Sequence, residues 1–529
     1  MSEYYGIPVL RSTIMEYQLS SSGNCRDRRF SSDRAIGGLA VVLLTGGLVA
    51  CGAGSDDPEP NSPLTTPMAF VVNQDDTTLT TLRLDGKFSP VISTLPLVPA
   101  QPDAIGGVTF SLGEWVFVTH TAGDCVWAID PIGGPAPIRE DCITTNPADT
   151  TGRVRVGRKP TKIYRDPVDK EVLWTTNEGD PDGIDRLAGC TTGGSVSILH
   201  NSHLGVGGGD RPRVTSRVCL SGRGEQFIAF PPAPASGQRN ALVASKTGGF
   251  VSVLLEAALS GGGTAWSETV FFLNLCTRAF VFPTPPAACN AAPSGLFWSQ
   301  ATARAYAYLS YQSGGGVPEV LEFDHTAATV PRFVPLSLSG SQSVSHVGMA
   351  PDGRELLVMI EDRSDADHVV TRFASIDVTV PGPLTLSGIP APTLPDVRVA
   401  QFQFTPDGRQ LYLVASNDST GLSPTQAANQ RKDLLVIFDR DPLSVVREVS
   451  LPPATSHAMD LWVTGPAGAG SARGVIITNA TPGVNGTVSL IDPSSGTTTA
   501  TFPVGRNPKR VTVYYVGLAA SDNQATPRW

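Results

Sequence analysis

The chain is poor in charge. Asp, Glu, Lys and Arg make up 16% of its 529 residues, against about a quarter in ordinary globular chains. Lysine is scarcer still, with seven among 39 basic residues. The net charge is −9. That excludes nucleic acid as a partner, because such binding rests on Lys and Arg neutralising phosphates. No Cys-x-x-Cys-His is present, so covalent haem is excluded, and no cysteine spacing fits zinc. Gly-x-Ser-x-Gly, His-Glu-x-x-His, the P-loop and the dinucleotide fingerprint are all missing, which removes the commonest hydrolytic and nucleotide chemistries. Long apolar runs are missing too. The uncharged stretch 35–50 (AIGGLAVVLLTGGLVA) has 16 residues, short of the ~20 that a spanning helix needs.

What is there instead is turn chemistry and short apolar runs. Gly (54) and Pro (44) are abundant, while hydrophobic residues still reach 41%. Mean hydropathy is +0.01, too apolar for a disordered chain. Many short strands joined by turns satisfy both facts.

The N-terminus reads as an address. Arg26, Arg28, Arg29 and Arg34 precede the run 35–50, and small residues precede Cys51; a basic flank, a short apolar core and a small-residue cut site make a signal peptide. Leu48-Val49-Ala50-Cys51 resembles the bacterial lipobox. That resemblance implies cleavage before Cys51, a diacylglycerol on its thiol and anchorage to a membrane. Arg28-Arg29-Phe30 partly resembles a twin-arginine signal. Residues 52–67 (GAGSDDPEPNSPLTTP) form a polar, Pro-rich tether. Gly52 in place of Asp favours the outer membrane, on the periplasmic side or the surface. The expected organisation is a signal peptide at 1–50, the lipidated Cys51 and tether at 51–67, one β domain at 68–516 and a tail at 517–529.

Six cysteines remain after Cys25 and Cys51: Cys125, Cys142, Cys190, Cys219, Cys276 and Cys289. An even number in an exported chain favours disulfides, and six allow 15 pairings. The simplest joins neighbours: 125–142, 190–219 and 276–289. Buried free thiols are the alternative.

From Met68 onward one pattern recurs. Its clearest copy reads Gly474-Val475-Ile476-Ile477-Thr478-Asn479, then Gly486-Thr487-Val488-Ser489-Leu490-Ile491-Asp492, then Phe502-Pro503-Val504-Gly505, then Asn507-Pro508. Pro351-Asp352-Gly353 and Pro406-Asp407-Gly408 mark tight turns before the apolar runs Leu356–Met359 and Leu411–Val414. These residues resemble the YVTN family of β-propeller repeats. The resemblance implies an all-β fold, a single β-propeller of four-stranded blades. Eight units are counted, with second strands near 69, 116, 172, 241, 305, 356, 411 and 475, and seven remain possible if a middle unit is misread. Stretch 217–340 fits by strand count only. The first unit lacks its innermost strand, and the spare C-terminal strand Lys509–Val516 is expected to complete it and close the ring.

Three groups of residues are candidates for a site. Aligning the units places Lys162, His346, Gln401, His457 and Arg510 at the start of innermost strands, around the channel mouth. His346 and His457 could bind a metal or act as acid–base groups near neutral pH, although buried, hydrogen-bonded histidines are the commoner outcome. The loops after the second strands carry Asp75 and Asp76, His120 and Asp124, Glu178, Asp180, Asp182 and Asp185, Glu361, Asp362, Asp365 and Asp367, and Asp418, so that face should be acidic; ordinary turn residues are the plainer reading. Glu178, Asp180, Asp182 and Asp185 alternate before glycines like a calcium loop, and calcium is the one cofactor they suggest. Two departures weaken it: Glu stands first, and Gly189 sits where the last acidic ligand belongs.

The functional expectation is an exported lipoprotein acting as a binding or scaffold module at the cell envelope, its loops engaging a protein, glycan or small molecule. The alternative is a propeller enzyme at the channel mouth, lactonase-like or a metal- or quinone-dependent oxidoreductase, since propellers related to YVTN repeats include both.

Overall fold

A computed structural model describes residues 67–84, 91–96, 105–110, 116–129, 156–169, 172–200, 213–224, 226–233, 237–258, 264–281, 291–310, 317–327, 332–464 and 471–514. The signal segment, Cys51 and the tether lie outside them. All but one of the described elements are strands; the exception is the short helix Pro424–Asn429.

The strands form eight antiparallel sheets in chain order. Six have four strands, and sheet 4 has five, through the extra outer strand Ala279–Val281. These seven are full blades. Sheet 2 has three described strands, Ile105–Phe110, Val116–His120 and Cys125–Ile129. It is seated between the first and third sheets: its first strand packs against both of their innermost strands. The expected β-propeller is therefore found, with eight units of which seven carry a full set of strands.

The ring is closed by its ends. Strand Pro508–Tyr514 pairs antiparallel with Met68–Asn73, Met68 opposite Tyr514 and Val72 opposite Arg510. It is the innermost strand of the first sheet, as the spare C-terminal strand was expected to be.

Packing explains the closure. Second strands such as Gln410–Ala415 and Val172–Asn177 are buried almost throughout, because each sheet is covered on both faces by its neighbours. Buried apolar side chains form consecutive layers between sheets: Phe117, Val126 and Leu173 between sheets 2 and 3, Leu242, Ala307 and Phe323 between 4 and 5, and Phe373, Leu413 and Phe438 between 6 and 7. A further layer runs from sheet 7 through 8 and 1 into 2, and includes Tyr412, Ile476, Phe70 and Trp127. No sheet could keep such faces out of water alone.

The Pro-Asp-Gly turns form as expected. Gly353 and Gly408 have φ of +69° and +68°, the left-handed region where glycine carries no Cβ penalty. The Asp352 and Asp407 carboxylates accept the Arg354 and Arg409 amides at 3.0 and 3.1 Å.

Cys190 and Cys219 form a disulfide within sheet 3, one of the three expected neighbour pairs. Cys125 and Cys276 are also disulfide-bonded; Cys142 and Cys289 lie outside the described residues.

Candidate channel-mouth site

The innermost strands begin at one end of the ring, and this brings the five channel-mouth residues to one face. Their environments separate them. His346 lies in Gln342–Met349, its ring edge-on to Phe402 with centroids 5.8 Å apart. Burial drives its pKa down to about 4, partly opposed by Glu361, so the ring is neutral at pH 7. The Lys162 ammonium sits 3.4 Å from the Phe227 ring centroid on the next innermost strand, a cation–π contact. Arg510 lies in the closing strand, where burial lowers its pKa.

The other two are tied into the scaffold. Gln401 donates from Nε2 to the Met459 carbonyl and accepts the Met459 amide at Oε1, both at 2.9 Å. It thereby serves the free backbone edge of the neighbouring innermost strand. His457 has Nδ1 3.0 Å from the Thr478 carbonyl and Nε2 2.7 Å from the Asp433 carboxylate. His346 and His457 thus stand in sheets 6 and 8, each with its own neighbours, and do not form a pair.

Two residues not singled out from the sequence join this seam. The buried Asp460 carboxylate accepts Gln403 Nε2 at 3.1 Å, its neighbour's amide Leu461 N at 2.9 Å and Val513 N of the closing strand at 2.7 Å. Innermost strands of sheets 7, 8 and 1 are thereby laced by side chains. A signal was available: Gln401, Gln403 and Asp460 are polar intrusions in otherwise apolar runs.

Four carboxylates of the expected acidic face, Asp75, Asp76, Asp124 and Glu361, are matched across joints between sheets. Asp76 binds Arg506, and Asp75 accepts the Gly483 amide and Asn507 Nδ2. Asp124 binds Arg158 at 2.7 Å and accepts the Lys159 amide. Glu361 binds Arg363 at 2.8 Å and Arg398 of the next sheet at 3.1 Å. Asp362 binds Arg372 at 3.0 Å, and Asp418 accepts the Thr420 amide at 2.8 Å. Asp365 accepts the Asp367 amide. Charge in these loops staples the blades.

The calcium loop residues do not converge. Asp180 faces Arg158 and Arg186 at 3.0 and 3.1 Å, and Asp182 faces Arg186 at 2.5 Å. Asp185 is buried and accepts the Arg158 and Ala188 amides and the Ser195 hydroxyl. Glu178 continues the same loop. Among the described residues no group of three or more His, Cys, Asp or Glu is placed to hold a metal ion.

A closed ring of radially stacked antiparallel sheets, with its last strand inside its first sheet, defines a β-propeller. Solved structures similar to the chain are propellers too. AztD of Citrobacter koseri shares 12% identity over 85% of this chain and 98% of its own, with a TM-score of 0.43. The periplasmic gluconolactonase PpgL of Pseudomonas aeruginosa shares 17% over 78% and 98%, with a TM-score of 0.43. A protein of Bacteroides fragilis described as a 6-phosphogluconolactonase shares 14% over 75% and 97%, with a TM-score of 0.40. No family model matches the chain, and no curated protein matches it. The binding-or-scaffold role expected from the sequence finds no counterpart in these descriptions, two of which are of lactonases. At this identity the likeness speaks for fold, and no residue role is carried over.

Proposed function

We propose that the chain is a propeller hydrolase acting on lactones at the channel mouth. The observation that supports it is His346: an imidazole supplied by an innermost strand, packed against Phe402 and held neutral by burial. Lactone hydrolysis needs a group that takes a proton from attacking water and returns one to the departing ring oxygen. Neutral imidazole has that capacity. Lys162 and Arg510 stand at the same end of the ring on other blades, where cationic groups would favour a substrate carrying phosphate or carboxylate and stabilise the developing oxyanion. Gln401 and His457 hold the frame.

The rest of the reading concerns where it works. The repeats are of YVTN type, and the chain is an exported lipoprotein, cut before Cys51, lipidated there and carried in the cell envelope, with the outer membrane favoured by Gly52.

The test is a hydrolysis assay on the full chain with glucono-δ-lactone and its 6-phosphate. The expected result is turnover above buffer, reduced roughly 100-fold in His346→Ala, the range that general acid–base groups contribute, with circular dichroism unchanged. Absence of turnover on both substrates, or unaltered turnover in the folded variant, overturns the reading.

A further inference from the structure

One side chain of the frame has hydrogen bonds that fix its charge. His457 lies two residues before the innermost strand Met459–Thr464 of sheet 8, and its side chain is 1% exposed. Nδ1 is 3.0 Å from the Thr478 carbonyl on the second strand of the same sheet. Nε2 is 2.7 Å from Oδ1 of Asp433, which stands just before Leu434–Arg440, the third strand of sheet 7. The contact between His457 and Asp433 therefore crosses the joint between two blades.

A neutral imidazole has one N–H and one bare nitrogen. Both neighbours of this ring are oxygens that only accept, a carbonyl and a carboxylate. With the hydrogen on Nδ1, the Nε2 lone pair would face the Asp433 carboxylate at 2.7 Å. With the hydrogen on Nε2, the Nδ1 lone pair would face the Thr478 carbonyl at 3.0 Å. Each neutral tautomer keeps one bond and sets two lone pairs against each other at the second nitrogen. The ring is enclosed, so bulk water does not relieve the mismatch. A second proton satisfies both contacts. Imidazole is a stronger base than carboxylate, so that proton rests on the ring, and the Asp433 charge offsets it in a charge-assisted bond.

Other charged groups nearby are engaged elsewhere or stand beside the pair. Asp460, three residues on, is taken up by Gln403 and the Val513 amide. Lys509 of the closing strand reaches Ser456 Oγ at 3.0 Å, next to His457. On sheet 7, Arg431 pairs with Glu448, and Lys432 precedes Asp433 in the chain. The remaining contact of the Asp433 carboxylate is the Ala454 amide at 3.3 Å, on the segment that leads to His457.

We infer that His457 is a buried imidazolium in the folded protein and that, with Asp433, it forms a proton-dependent latch between sheets 7 and 8. The latch holds while the ring keeps its second proton. It loses one of its two bonds when that proton leaves, so its grip weakens as pH rises. This goes beyond the hydrolase reading and does not rest on it.

Histidine-selective nitrogen NMR on the full chain reads the proton count directly, with the His457 signals identified by their loss in His457→Gln. At pH 7 both of its ring nitrogens are expected to carry hydrogen. Asp433→Asn is the discriminating variant. Asp433 has φ of +56°, a conformation that Asn tolerates as Asp does, and an amide there can donate to Nε2. A neutral ring with its hydrogen on Nδ1 then satisfies both neighbours. The variant should show one N–H and one bare ring nitrogen at pH 7, and the parent's melting temperature should fall relative to the variant's between pH 6 and 9. A bare ring nitrogen at His457 in the parent at pH 7, both hydrogens retained on the ring in the folded variant, or parallel melting curves overturns the inference.

Discussion

A polar side chain on an innermost strand has two fates in this protein. It can pair with the backbone of the next blade, as Gln401 and Asp460 do and as His346 does with Ala400, or it can be held by side chains of its own surroundings. The residue type does not tell these apart. His346 and His457 look equivalent in the repeats, yet one is packed on an aromatic ring and bonded to the Ala400 backbone, and the other is held by a carboxylate and a carbonyl. His120 shows the cost of burial alone. It is fully buried, stacks on Trp127 with centroids 4.3 Å apart, and neither ring nitrogen has a hydrogen-bond partner among the described residues; burial lowers its pKa to about 4. The unfolded chain binds that proton near pH 6.5, so the stability that depends on a neutral ring is complete above 6.5 and drains as pH falls to 4. His346 loses stability in the same window. Urea midpoints measured from pH 7 to 4.5 should fall, and His120→Phe should flatten part of that slope. A variant curve as steep as the parent's removes His120 from the account.

Elements were largely legible because their causes are local. Pro-Asp-Gly sets a turn by its own dihedrals and its Asp side chain, and both copies form. Apolar runs such as Leu411–Val414 became buried second strands. The helix Pro424–Asn429 was not anticipated, although Ser423 and Gln426 form a capping box with Pro at the first helical position. It is a single short turn of structure that breaks the strand rhythm, and Gln426 and Asn429 anchor it to carbonyls of Asp365 and Asp367 in the preceding sheet. The disulfide Cys190–Cys219 belongs to this scale, closing 29 residues inside one sheet. Replacing both cysteines by Ala should cost roughly 3.6 kcal/mol of unfolding free energy, the loop-closure value for that length. Denaturant titration of oxidised parent and double variant gives the difference, and a value near zero would mean the loop is held by its other contacts.

The whole molecule depends on closure. Sheet 1 is one strand short until Pro508–Tyr514 arrives from the far end of the chain, and the apolar layer joining sheets 7, 8, 1 and 2 includes Val511 and Val513 of that strand. A chain ending at residue 507 should lose cooperative melting and expose apolar surface, read by calorimetry and dye binding. If it melts like the parent, the ring holds without its clasp. The expected acidic face is partly offset at this scale. Some of these carboxylates are matched only across a blade joint, as when Arg398 of one blade reaches Glu361 of another.

The amino-acid order by itself determined the strands, their turns and the spare strand at the C-terminus, since periodicity, Pro-Asp-Gly and an unpaired final repeat act over a few residues or by simple count. Only the tertiary structure decided which polar residues remain available for chemistry. That outcome depends on the neighbour each side chain meets across a blade joint, and the ring brings together residues with no fixed spacing along the chain.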